Sequence, residues 1–141
     1  HKKFKYGPLG TTVNLASRVQ GATKYLKTPL LITGYTSNQL SDKRNTRRLC
    51  QVHVQNIQQA VDLHQLVTAN ESGIWHTLSD HYEDALNHFE NGDFRRASAI
   101  LGEVLVETPN DGPSLLLISR VVDAMLNEDQ EFSPIWDLPG K

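Results

Sequence analysis

Near residue 70 the chain changes the sign of its charge and the period of its apolar residues together, and this double switch limits what it can fold into. Residues 1–68 hold 10 Lys and Arg against 2 Asp and Glu, a net of +8, whereas residues 69–141 hold 4 against 14, a net of −10. Contrast of that size predicts two units with different partners. The basic unit suits phosphate, on a nucleotide or a nucleic acid, and the acidic unit repels both. The whole is 141 residues, room for one ordinary domain or two small ones.

Before the switch the pattern mixes helix and strand. Gly7-Pro8-Leu9-Gly10 reads as a turn, and Thr11 or Thr12 is placed to cap a helix over about 12–26. Leu15, Val19, Ala22 and Leu26 give that helix an apolar stripe. Pro29 ends the helical region, Leu30-Leu31-Ile32-Thr33 reads as a short buried strand, and Tyr35 to Leu40 as a helical turn. Asp42 to Thr46 is a polar loop. Arg47 to Ile57 then alternates as a strand with Cys50, Val52 and Val54 on one face, and Val61 to Val67 reads as its neighbour.

After a linker at Thr68–Ser72 the period is helical. Tyr82, Ala85, Leu86 and Phe89 form one stripe, broken by Gly92-Asp93. Phe94, Ala97, Leu101, Val104 and Leu105 form a second, stopped at Thr108-Pro109, and a third helix is expected over about Pro113 to Leu126. The expected fold class is α+β followed by a small all-α unit. The expected divisions are 1–68, 74–130 and a docking tail at 131–141 carrying Phe132, Ile135 and Trp136.

Asn14 and Arg18 stand one helical turn apart on one face, just after the glycine-bearing turn. Arg18 offers a planar, permanently charged fork for phosphate oxygens, and Asn14 an amide that donates and accepts. By spacing alone, a helix-start residue and a solvated charge is the weightier reading. Lys43, Arg44, Arg47 and Arg48 make a basic cluster read as a solvated loop; lacking interleaved aromatics, it does not point to nucleic acid. The histidines show no H-E-x-x-H spacing, His81 and His88 read as exposed helix positions, and the single Cys50 as a small core residue.

The run Tyr6-Gly7-Pro8-Leu9-Gly10-Thr11-Thr12-Val13-Asn14-Leu15-Ala16-Ser17-Arg18 resembles the G-x-T-V-N-x-A-S-R segment of class III adenylate/guanylate cyclases. Leu30 to Thr33 and Arg47 to Val52 follow in the family's order, and Val61 to Val67 resembles its closing P-V-x-V-Y-E-L strand. The resemblance covers about 1–68 and implies the C-terminal half of a ferredoxin-like nucleotide cyclase domain. It implies conversion of ATP, or less commonly GTP, to the 3′,5′-cyclic monophosphate and pyrophosphate at the interface of a homodimer. Asn14 would orient the ribose and Arg18 stabilise charge on the phosphates. The implied Mg2+ or Mn2+ ligands and base-reading lysine lie upstream of residue 1, so the 141-residue chain alone is expected to be inactive. Gly7 stands at the base-reading position without a side chain; ATP is expected ahead of GTP only as the commoner substrate of bacterial relatives.

Tyr82 through Pro109 resembles a tetratricopeptide helix pair, with Tyr82, Ala85-Leu86, Phe89, Gly92-Asp93-Phe94, Ala97, Leu101 and the closing proline in pattern. That implies a possible protein partner for the helical unit. The alternative to the enzyme is a non-catalytic interaction module in which the cyclase-like half is a degenerate scaffold. With His1 at the start and Met125 as the only methionine, the expectation is a fragment, a processed piece or a trimmed chain. The lone cysteine and the lack of a long apolar run lead to expectations of a cytoplasmic setting and no membrane segment.

Overall fold

The computed structural model describes residues 31–33, 37, 46–53, 59–67 and 73–137. The helix expected over 12–26, the linker 68–72 and Val54 to Ile57 lie outside the described residues, as does all of the turn 35–40 except Ser37. Among those described are β1 (Leu31–Thr33), β2 (Thr46–His53), β3 (Val61–Leu66), α1 (Gly73–Glu90), α2 (Phe94–Glu107), α3 (Gly112–Leu126) and β4 (Trp136–Asp137). This is a mixed α and β arrangement, with one four-stranded sheet in the order β1-β3-β2-β4.

Period-two alternation produces the two longer strands. β2 and β3 pair antiparallel, Val52 opposite Val61 and Arg47 opposite Gln65, and β1 runs antiparallel along the far side of β3. A bulge between Arg48 and Cys50 interrupts the β2 ladder. The extra residue is Leu49, and it and Cys50 are both buried. β4, only two residues long, pairs parallel with β2 on its other side, Val52 opposite Trp136.

The helices begin and end where the sequence is punctuated. α1 buries Trp75, Ser79, Tyr82, Ala85, Leu86 and Phe89, a stripe at helical spacing. Its end is a two-bond cap: Gly92 N donates to the Phe89 carbonyl at 3.0 Å and Asp93 N to the His88 carbonyl at 2.8 Å. That geometry requires a left-handed residue, and Gly92 supplies it at φ 81°. Asp93 then caps α2, accepting from Arg96 N at 3.3 Å. Asp111 caps α3 by accepting from Ser114 N at 3.2 Å, with Pro113 in the first turn, where its missing N–H costs nothing.

Strands and helices share one continuous core. Leu31, Leu49, Cys50, Val52 and Leu63 pack with Tyr82, Leu86, Phe89, Leu101, Leu117 and Val121. The segment after α3 lies on this core through Phe132, whose ring meets Phe89 at 5.2 Å and Phe94 at 4.8 Å, both edge to face. No helix among the described residues is long and apolar enough to cross a membrane.

Candidate functional site

The densest polar chemistry among the described residues sits where β2 meets the helices. Arg47 leaves β2 toward α1 and is completely buried. Its guanidinium lies over two aromatic faces, 5.1 Å from the Trp75 ring centroid and 4.8 Å from that of Tyr82. Nη1 and Nη2 donate to the two carboxylate oxygens of Asp111 at 2.9 and 3.1 Å, a bidentate fork. Nε donates to Gln65 Oε1 at 3.0 Å, and Nη2 reaches the same oxygen. Asp111 also accepts from Ser114 Oγ at 2.5 Å. One carboxylate therefore caps α3 and neutralises a strand's buried cation.

Arg48 ties the same strand to the other end of α1. Its guanidinium donates to both oxygens of Glu90 at 2.8 and 2.6 Å and to Asn87 Oδ1 at 3.1 Å, while its backbone N donates to Glu83 at 2.7 Å. Tyr82 Oη donates to the Leu49 carbonyl at 2.8 Å, at the bulge where ladder bonding is disrupted. The solvated-loop reading of the basic cluster thus fails at Arg47 and Arg48. Both belong to β2, and their charge is taken up by acidic residues of the helical half. Lys43 and Arg44 lie outside the described residues.

The environment decides what these groups can do. Burial pushes the Cys50 thiol up to about 12, so it stays protonated and is a core residue, not a nucleophile. Burial also raises the Tyr82 phenol, which remains a hydrogen-bond donor. Burial alone would raise the Asp111 carboxyl, but the hydrogen bonds and charge of Arg47, with those of Ser114, hold it below the usual carboxylate range. The His64 imidazole is lowered, first by burial and then by Arg48, with Asp62 opposing. This arrangement is a coupling joint between sheet and helices, in which Arg47 and Asp111 are already hydrogen-bonded to each other and to Gln65 and Ser114 respectively. Among the described residues no group of three or more His, Cys, Asp or Glu is placed to hold a metal ion.

Asn14, Arg18 and Gly7 lie outside the described residues, so the structure neither brings them together nor separates them. His81 is exposed on α1, and His88 is half-buried between Asp84 at 3.6 Å and Asp93 at 3.3 Å. Sequence reasoning missed the Arg47 joint. Its one legible signal was Asp111 ahead of Gly112-Pro113, a cap signature that says nothing about a partner 64 positions away. A second missed feature is an apolar groove of about 690 Å3 between the start of α1 and the end of α2, floored by Leu78 and Val104. No protein-family model, curated protein or solved structure matches the chain.

Proposed function

We infer that the chain is part of a class III-type purine nucleotide cyclase, acting on ATP ahead of GTP as a homodimer, with a tetratricopeptide-like helical unit fused behind it. The observation that carries this reading is the Tyr6 to Arg18 run, with T-V-N-x-A-S-R intact. The antiparallel set of β1, β3 and β2 supports it, since the resemblance requires three strands there after the Asn14 and Arg18 helix. The α1 and α2 hairpin, turning at Gly92-Asp93, supports the helical part.

On this reading Asn14 holds the ribose so that its 3′-hydroxyl faces the α-phosphorus. Arg18 lies against the phosphates and stabilises the negative charge that grows as pyrophosphate leaves. Positioning and electrostatic stabilisation supply most of the rate in phosphoryl transfer, so two such residues suffice as this chain's share. A divalent Mg2+ or Mn2+ would complete the chemistry, but the described residues offer it no seat. Asp62, on β3, is 3.6 Å from Arg48 and belongs to no metal-binding group among the described residues.

The test is cyclic AMP and cyclic GMP formation by the intact protein that contains this chain, with Mg2+ or Mn2+, beside Asn14→Ala and Arg18→Ala. Loss of one charged donor to the transition state is expected to lower turnover by about 10²–10³-fold in Arg18→Ala. No product with either metal from a folded dimer would end the cyclase reading. The rival, a non-catalytic interaction module, is favoured by Gly7 and by the apolar groove on the helices.

A further inference from the structure

The groove of about 690 Å3 between α1 and α2 is used by nothing described above. Its walls are the first turns of α1 and the last turns of α2. Ile74 and Val106 stand at its lip with 74 % and 77 % of their surface exposed, although both are large apolar side chains. From Gly73 to His81 the α1 wall is about 12 Å long, or roughly two turns of helix.

Charge at the rim selects the occupant. Glu103 and Glu107 line the groove on α2, and neither carboxylate has an ion-pair partner among the described residues. They are four positions apart on one helix face, a repulsive spacing. They also stand in the final turns of α2, where the helix dipole disfavours anions, and the last turn holds no basic residue. Asp111 and Glu90, by contrast, are paired with Arg47 and Arg48.

We propose that this groove is a docking site for a basic amphipathic helix of a partner protein. Apolar side chains of the partner fill the space over Leu78 and Val104, and Lys or Arg one turn away meets Glu103 and Glu107. A two-helix groove accepts a third helix by the ridge-and-groove packing that joins α1 to α2. The inference is independent of the cyclase reading.

The probe is a fluorescein-labelled synthetic helix of about four turns, leucine on one face and lysine on the other, with a glutamate-for-lysine twin as control. Fluorescence anisotropy is measured against the full chain. The lysine peptide is expected to bind, the twin not to bind, and binding to weaken as NaCl rises from about 0.05 to about 0.5 M. Glu103→Lys with Glu107→Lys should weaken binding roughly tenfold or more, as should Val106→Asp. Glu128→Lys with Glu131→Lys makes the same change of net charge away from the groove and should leave binding unchanged. Circular dichroism checks that each variant is folded. Equal weakening by both double variants would reduce the effect to overall charge and overturn the proposal, as would absence of binding. Self-association of the unmodified chain that Val106→Asp abolishes would assign the groove to a second copy instead.

Discussion

Replacing Asp111 by Asn asks how much the buried Arg47 depends on its counter-ion. Asparagine is as good a helix cap as aspartate, so the α3 start is retained and the change isolates the charge. Arg47 is wholly buried and the Asp111 side chain is only 10 % exposed, so water cannot replace the lost carboxylate. Two aromatic faces and Gln65 remain around the guanidinium, but none carries a negative charge. Removing one partner of a buried pair costs about 3–5 kcal/mol. Against a total stability of roughly 5–15 kcal/mol this is a large part of the whole. With a urea dependence of about 2 kcal/mol per molar, the unfolding midpoint should fall by about 2 M. Trp75, beside Arg47, provides a fluorescence signal to set against circular dichroism. The double variant Arg47→Met with Asp111→Asn should recover most of the loss, because an apolar chain leaves no charge to desolvate. A loss below about 1 kcal/mol, the value of an exposed pair, would refute the reasoning. So would a double variant no more stable than Asp111→Asn.

Gly92→Ala should cost about 1 kcal/mol in urea unfolding. The added Cβ meets nothing within 4 Å, so the whole cost arises from the left-handed backbone at φ 81°, and an unchanged midpoint would contradict it. His64→Gln should flatten the dependence of stability on pH between about 7 and 5. The folded imidazole titrates below its ordinary value, so the unfolded chain binds more protons in that window and stability falls as pH falls through it. Urea midpoints of the two proteins compared at each pH test this; parallel curves would remove His64 as the source.

The helices were readable because their signals are local. Tyr82, Ala85, Leu86 and Phe89 share one face, Gly92 and Asp93 end one helix and begin the next, and Thr108 closes α2. The β2 and β3 hairpin was readable for the same reason, since its alternation lies within twenty or so residues. The bulge at Leu49 was not, because the adjacent apolar pair Leu49-Cys50 fits a regular strand buried on both faces equally well. Nor was the burial of Arg47. Beside Lys43, Arg44 and Arg48 it looks solvated, and only Gln65, Trp75, Tyr82 and Asp111, 18 to 64 positions away, make a buried cation tolerable. The Asn14 and Arg18 pair was read from a motif and spacing alone.

The parallel pairing of β4 with β2 sets an order on the birth of this protein. Val52 and Trp136 lie 84 positions apart in the chain, with the three described helices between them. At ribosomal speed that interval lasts about 4 to 17 s, far longer than a helix or hairpin needs to form. Throughout it, the side of β2 that β4 will cover has none of its described partner. An open strand edge is a template for any other extended chain. Arg120 shortens the risk once Pro134 and Trp136 arrive, since its guanidinium donates to the Pro134 carbonyl and lies between the Phe89 and Trp136 rings. A two-residue strand thus serves less as reinforcement than as a seal, applied after the rest of the described fold has been synthesised.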